Sequence, residues 1–147
     1  MKRPEMKTRS LTVADYDQIV ELWRRAGLPY KPQGRDGREA VEAQIVAYPD
    51  LCIGAFEGNR FVGVVLATTD GRKGWINRLG VDPDCRRRGV AKTLIHEAET
   101  ALHKHGIRVF CALIESGNTT SMRLFRASGY REHRDILYFS KRDSELV

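Results

Sequence analysis

The sequence of 147 residues lacks any apolar run near the roughly 20 residues that a membrane-spanning helix needs. It has three cysteines, an odd number without a close pair, which argues against a disulfide scaffold. Its four histidines are not interleaved with cysteines at zinc-ligand spacing, so no metal site is expected. The N-terminus has charge but no apolar stretch after it, so no secretory signal is expected. These absences exclude a membrane-spanning protein and favour a cytoplasmic one.

Positive charge is in excess, since 25 Lys and Arg against 19 Asp and Glu give a net charge of +6. Such a balance suits nucleic acid, an acidic membrane surface or a small polyanionic ligand. The basic residues are spread along the chain except for one run, Arg86, Arg87 and Arg88. Because no aromatic residues interleave with this run, a nucleic-acid-binding domain is the weakest functional hypothesis. Neither nucleic acid nor a membrane is expected as a partner.

Hydrophobic periodicity predicts one domain over residues 1–147, without internal repeats or linkers. The predicted order is strand, two helices, three strands, helix, strand, helix and a last short strand. Predicted strands cover residues 8–13, 51–56, 61–68, 75–81, 107–114 and 136–139, with a further start at Tyr130 and Arg131, and predicted helices follow Thr12 and cover residues 38–47, 90–105 and 118–128. This order predicts an α/β (α+β) fold, with a mixed central sheet of about six or seven strands and about four helices on its faces.

Local signals set several of these boundaries. Thr12 with Asp15 three residues later fits a capping box that opens the first helix, and Gly27 ends that helix. Residues 28–37 are rich in Gly and Pro and are predicted to form a loop. Residues 57–60 give a hairpin signal between two predicted strands. The chain should therefore change from helical to strand periodicity before residue 51.

Gly89 and Ala91 lack bulky side chains where the helix after strand 75–81 begins, so a ligand can approach the backbone closely. The first N–H groups of a helix have no intrahelical partner and lie at the positive end of its dipole, which makes an anion site. A phosphate or pyrophosphate would suit it. Taken alone, the pattern is better explained by a glycine that permits a turn and by arginines facing solvent.

Two motifs together resemble the GNAT (Gcn5-related) N-acetyltransferase family. Residues 86–91 match its Arg/Gln-x-x-Gly-x-Gly/Ala pattern, and the Leu-x-Val-x-Pro at residues 79–83 fits what precedes it. Residues 118–130 resemble its Asn-x-x-Ala-x-x-Leu-Tyr-x-x-x-Gly-Phe. The motifs occur in the family's order, so the pair is more specific than either alone. The resemblance covers most of the chain and is weakest over residues 28–49.

The resemblance implies acetyl-CoA as co-substrate, an amine acceptor and, as a further expectation, a homodimer. It implies that strands 75–81 and 107–114 splay apart to admit the pantetheine arm, with the pyrophosphate on the amides of residues 87–91. Asn118 would bind the arm, and it is also a favoured helix N-cap. The implied cofactor-binding residues are Leu79, Gly80, Val81, Arg86, Arg87, Arg88, Gly89, Val90, Ala91, Asn118 and Phe125.

Three positions depart from the family's catalytic residues. Phe125 stands where the family has the Tyr that protonates the leaving thiolate. Leu113 and Trp75 stand where members that modify ribosomal proteins or histones have a Glu. Three familiar acid and base positions are therefore apolar here.

Three other residues are candidate substitutes. Glu115 lies two residues from Leu113 and so on the same strand face, although an exposed strand-end carboxylate is a slightly better interpretation. Asn77 is a candidate to orient a water that carries away a proton, and Tyr138 is a candidate acid, although a packed aromatic is the commoner case. Proximity alone can also suffice, since effective molarities reach about 10⁵ M.

Two hypotheses remain open. The first is direct transfer of the acetyl group of acetyl-CoA to an amine: a protein N-terminus, a lysine or a small-molecule amine. The second is a catalytically impaired GNAT-fold CoA-binding or sensory module, which Phe125 favours. The sequence does not identify the acceptor.

Overall fold

Five β-strands and four α-helices, in the order strand, two helices, three strands, helix, strand and helix, occur in residues 4–147, the part of the chain that the computed structural model describes. The strands are β1 (Met6–Ser10), β2 (Cys52–Glu57), β3 (Arg60–Thr69), β4 (Gly74–Val81) and β5 (Phe110–Cys111). The helices are α1 (Tyr16–Ala26), α2 (Arg38–Ala47), α3 (Val90–Lys104) and α4 (Thr119–Ala127). No helix within this range is both long and apolar enough to cross a membrane.

All five strands form one mixed sheet in the order β1-β2-β3-β4-β5. The first four pair antiparallel with their neighbours, and β5 is parallel to β4. This last pairing is short: Gly74 lies opposite Phe110 and Trp75 opposite Cys111, and the ladder then stops. Strand β4 and the edge strand β5 therefore diverge toward the carboxyl end of β4, as the family resemblance implied.

The fold class agrees with the prediction, but the strand count does not, since residues 4–147 contain five strands rather than six or seven. Of the predicted strand 107–114, only Phe110–Cys111 (β5) forms a strand. The predicted strand 136–139 joins no ladder, and its side chains are 65–86% exposed. A strand needs a neighbouring edge with which to exchange hydrogen bonds, and the two residues of β5 offer almost none.

The sheet has a buried hydrophobic cluster on each of its faces, and β3 contributes side chains to both. Val64 and Leu66 pack against the α1 and α2 layer, where Trp23 is fully buried. Val65, between them in the chain, faces the cluster built around α3, which includes Leu94. Successive side chains of a strand point to opposite faces, so β3 joins the two layers and fixes where β4 lies.

The helix boundaries follow the local signals. The capping box is present at the start of α1, where the Thr12 N–H donates to the Asp15 carboxylate at 2.8 Å. A short 3-10 turn (Val13–Asp15) precedes the helix, and Gly27 caps its end with a left-handed φ of 77°. Helix α2 has the predicted bounds. The loop of residues 28–37 thus connects two well-defined helices.

Candidate functional site

A cleft of about 840 Å³ opens where β4 and β5 diverge. Its walls are the second half of β4, the first turns of α3 and α4, and the end of α1. The lining residues are Ala26, Leu28, Leu79, Gly80, Val81, Cys85, Arg86, Arg87, Gly89, Val90, Ala91, Lys92, Asn118, Thr120, Ser121 and Leu124. All the cofactor-binding residues that the family resemblance implied are in this set except Arg88 and Phe125.

A row of free backbone donors lies at the head of α3. Within residues 4–147, no hydrogen bond is made by the backbone N–H groups of residues 87–92, and the first amide of the helix to be paired is that of Thr93, to the carbonyl of Gly89. Gly89 has a φ of 78° and Arg87 a φ of 65°, both left-handed. A Cβ on Gly89 would meet no atom within 4 Å, so the backbone is open to the cleft there. Consecutive N–H groups at a helix N-terminus form an anion site.

The three consecutive arginines have different surroundings. The Arg88 side chain is mostly buried and donates to the Glu57 carboxylate and to the backbone carbonyl of Asp84. Arg86 lies 3.4 Å from the carbonyl of Ala26. Arg87 makes no side-chain hydrogen bond or ion pair within the described chain. Its guanidinium is therefore the one available to a bound anion without breaking a contact of the fold.

The edge of β4 that faces β5 is unpaired after Trp75, and the opposite edge carries a β-bulge. Gly80 pairs with Val64 and Asn77 with Leu66, so residues 78–79 lie opposite the single residue between them. Bulges redirect the strand and its backbone groups, and they are frequent beside active sites. The free edge of residues 76–81 can accept an extended, amide-rich ligand as an added strand.

Asn118 caps α4, since its Oδ1 accepts a hydrogen bond from the backbone N–H of Ser121 at 3.1 Å. Its Nδ2 group has no hydrogen-bond partner within residues 4–147. An amide side chain has two donors on that nitrogen. The cap therefore leaves Asn118 free to donate into the cleft that it lines.

None of the three candidate catalytic residues lines the cleft. Glu115 is exposed in the turn after β5, and Tyr138 is 65% exposed in the irregular C-terminal segment. Asn77 donates from Nδ2 to the hydroxyl of Thr68 on β3 at 2.8 Å. The structure does not bring these side chains together, and their catalytic roles stay predictions.

Phe125 lies in the core rather than along the cleft, which its neighbour Leu124 lines instead. It is 6% exposed and packs edge-on against Tyr130, with ring centroids 5.0 Å apart. The Tyr130 hydroxyl donates to Glu99 on α3 at 2.6 Å, and burial together with this hydrogen bond raises the pKa of Tyr130. Tyr130 is thus engaged with α3, and the cofactor contact of Phe125 stays a prediction.

Two of the three cysteines, Cys52 and Cys85, are unsuited to act as nucleophiles. Burial raises the pKa of Cys52 to about 12. Cys85 lines the cleft, but burial and the nearby Glu57 carboxylate raise its pKa as well. A thiol must ionise to attack. Among residues 4–147, no three His, Cys, Asp or Glu side chains are grouped so that they could hold a metal ion.

One cluster beside the bulge was not identified from the sequence. The guanidinium of Arg78 stacks on the indole of Trp23 at 4.2 Å and lies 3.6 Å from the carboxylate of Asp36. The sequence feature that could have pointed to this cluster is Arg78 itself, a single arginine inside a strand that is otherwise mostly apolar. A charge in such a place needs a partner, but the partner's position in the chain could not be inferred.

Comparison with known proteins gives a family profile, a relative and two solved structures. The family profile "Acetyltransferase (GNAT) family" matches residues 16–130. Acetyltransferase plu1384 of Photorhabdus laumondii is 29% identical over 138 residues, which cover 93% of this chain and 95% of that protein.

Two solved structures share the fold. The aminoglycoside N-acetyltransferase AAC(6')-Iy in complex with CoA has a TM-score of 0.77 and 20% identity, covering 96% of this chain and 97% of that one. The PaiA N-acetyltransferase of Thermoplasma acidophilum in complex with coenzyme A has a TM-score of 0.75 and 21% identity, covering 86% and 90%. At this level of identity they establish the shared fold alone.

Proposed function

The chain belongs to the acetyltransferase (GNAT) family, and on that premise we propose that it transfers the acetyl group of acetyl-CoA directly to an amine. The observation that carries the proposal is the row of unpaired N–H groups of residues 87–92, directly beside the unpaired edge of β4. The unpaired N–H groups suit a pyrophosphate, and the unpaired strand edge suits an amide-rich arm. Both open into the same cleft.

The pyrophosphate would be held by the amides of residues 87–92, with the guanidinium of Arg87 as an additional donor. Hydrogen bonds to charged groups are about twice as strong as neutral ones. Arg88 would act indirectly, by holding the turn to Glu57 on β2. We therefore expect the backbone to contribute most of this recognition.

The pantetheine arm would lie along residues 76–81 of β4, as an added strand. In our proposal, the free Nδ2 of Asn118 donates a hydrogen bond to this arm from the opposite wall of the cleft. Leu79 and Val81, which line the cleft, would cover its apolar parts. With the arm in this position, its thioester end would lie at the β4 bulge, at the opposite end from the phosphates.

Acetyl-CoA supplies an activated thioester: the amine nitrogen forms a bond to the carbonyl carbon, the carbon–sulfur bond breaks, and the amine proton is lost as the thiolate gains one. The residues of this chain hold and orient the reactants. Because Glu115, Asn77 and Tyr138 do not line the cleft, proximity is the better-supported mechanism, and it is worth about 10⁵ M in effective concentration. The raised pKa values of Cys52 and Cys85 favour transfer without an acyl-enzyme.

The second candidate is a CoA-binding or sensory module without catalysis. The position of Phe125 in the core, with no phenol in its place, favours it. Thermal-shift titration with acetyl-CoA tests binding, because a ligand that binds only the folded state raises the melting temperature. Thiol release with a panel of N-terminal peptides, lysine peptides, polyamines and aminoglycosides tests transfer. A shift with release supports the enzyme, a shift without release supports the module, and no shift contradicts both.

The acceptor is proposed only as an amine: a protein N-terminus, a lysine or a small molecule. A homodimer and a cytoplasmic location also remain proposals. The exposed apolar run of residues 136–139 supports self-association, and sedimentation velocity at increasing protein concentration tests it.

A further inference from the structure

Arg78 adopts a backbone conformation that residues other than glycine seldom adopt. Its φ is 54°, inside the β4 bulge. Its Nε and the indole Nε1 of Trp23 are buried, and neither has a hydrogen-bond partner within the described chain. Strained backbone and unpaired buried donors both oppose folding, and they concentrate where a site needs them. Arg78 therefore has features that packing alone does not explain.

The side chain of Arg78 ties the loop of residues 28–37 to β4. Its Nη2 donates to the carbonyl of Pro29 at 2.6 Å, near the start of the loop. Its Nε lies 3.6 Å from the carboxylate of Asp36, near the loop's end, and the two side chains are only 21% and 5% exposed. The loop is closed on itself through the same carboxylate, which accepts the N–H of Lys31 at 2.9 Å.

This loop follows β4 in the direction away from the anion site. A Cβ on Gly80 would lie 3.1 Å from the Leu28 side chain, so the loop begins beside the cleft. Two residues earlier in β4, Arg78 meets the next loop residue, Pro29. A ligand with its phosphates on residues 87–92 that extends back along β4 has its far end beside this loop. Under the proposed function, that end is the thioester.

We propose that Arg78 is a positioning residue, which fixes the loop of residues 28–37 as the wall of the acceptor site. The proposal rests on the proposed function, because an acceptor amine must come within about 3–3.5 Å of the thioester carbon. The bulge that turns β4 at the thioester and the loop that faces it are held together by one guanidinium. Arg78 contacts neither reactant in this role; it acts through the loop.

The test uses the full chain with Arg78→Gln, Arg78→Lys and, as a second way to release the loop, Asp36→Asn. Arg24→Gln is the matched control, because Arg24 is a largely exposed arginine on α1. Without any ligand, we expect backbone hydrogen exchange at Lys31 and its loop neighbours to become about tenfold faster in Arg78→Gln and Asp36→Asn. These amides exchange when the loop opens locally, and both substitutions make that opening easier. Exchange in α3 should not change. Arg78→Lys should restore part of the protection.

With an amine that the wild-type protein acetylates, Arg78→Gln should raise the acceptor KM about tenfold, with the Kd of acetyl-CoA within about twofold of wild type. A merely structural defect would raise both constants together. Unchanged loop exchange, an acceptor KM equal to wild type, or the same effects in Arg24→Gln would overturn the assignment while leaving the proposed function intact. If wild-type protein acetylates no amine, the proposed function has failed, and the acceptor wall fails with it.

Discussion

The carboxylate of Glu57 on β2 accepts two hydrogen bonds from Nη1 of Arg88, at 3.1 and 2.9 Å. Both side chains are mostly buried. Arg88 also donates to the carbonyl of Asp84 at 2.8 Å, inside the turn that leads to α3. One of three consecutive arginines therefore ties the turn that carries the unpaired amides to the sheet, and its neighbour Arg87 makes no side-chain hydrogen bond or ion pair within residues 4–147 that would hold it.

Arg88→Ala should lower the free energy of unfolding by about 1–3 kcal/mol, because it leaves the mostly buried carboxylate of Glu57 without its charged partner. Arg87→Ala should change it by less than about 0.5 kcal/mol, as an exposed substitution, and should weaken acetyl-CoA binding by about three- to tenfold through the lost charge-assisted hydrogen bond. Urea denaturation and isothermal titration calorimetry measure the two effects. Equal stability of the two variants would contradict the separation of roles.

Gly89→Val should reduce acetyl-CoA affinity more than tenfold, about 1.4 kcal/mol or more, because the side chain enters the open side of the anion site. Gly106→Val is the matched control. Gly106 has a φ of 83° and open space like Gly89, but it follows the other end of α3. Both variants should lose similar stability from backbone strain. A loss of affinity in both, or in neither, would argue against the site.

The elements predicted well are those whose boundaries are encoded locally. Helix α2 follows from its periodicity between a glycine-rich loop and Pro49, and α1 from a capping box and Gly27. Residues 136–139 have strand-forming side chains, but a strand also needs an edge to pair with. That edge lies elsewhere in the chain, and its absence at β5 could not be read from the residues themselves.

In the candidate site, too, the features encoded by neighbouring residues were predictable and the contacts between distant parts of the chain were not. The sequence analysis expected a pyrophosphate on the amides of residues 87–91, and the unpaired amides of residues 87–92 follow from a strand, a glycine and a helix start that are adjacent in sequence. The pairs Arg88–Glu57 and Arg78–Asp36 join distant parts of the chain, and only the packing of the layers brings them together. The core position of Phe125 likewise depends on which face α4 turns inward.

Phe125→Tyr tests whether a family-like phenol helps in this chain. Since Phe125 is buried, we expect kcat to stay within about twofold of wild type, rather than to rise by the factor of about 10²–10⁴ that a positioned acid gives. Stability should fall by about 1–3 kcal/mol, because the hydroxyl would be buried without a partner. Steady-state kinetics and urea denaturation check this. A large rise in kcat would show that the ring reaches the thiolate.

Asp15 should stabilise the fold in a pH-dependent way. The hydrogen bond from Arg9, and then that from the Thr12 N–H, lower the pKa of Asp15 below its ordinary value of 3.8. A lowered pKa means that the stabilisation is present above the ordinary value and is lost as the pH falls through the folded-state value. Asp15→Asn should therefore cost about 1–2 kcal/mol at neutral pH, and the cost should shrink below a pH of about 4.

Urea denaturation at neutral and acid pH measures this difference, with Asp17→Asn as the control. Asp17 lies two residues away, and its ion pair with Arg38 is exposed. The control should cost less than about 1 kcal/mol. A penalty for Asp15→Asn that is the same at both pH values would show that the charge of Asp15 is not what stabilises α1.

Backbone amide NMR during titration with acetyl-CoA tests the central claim most directly, because it reports on the donors that the claim names. We expect saturable binding, with the largest shifts at residues 87–92 and along residues 76–81 of β4. Gly89→Val should abolish those shifts at the same concentrations, and Gly106→Val should keep them. Shifts centred elsewhere in the chain, or no binding by the wild-type protein, would contradict the proposed acetyl-CoA site.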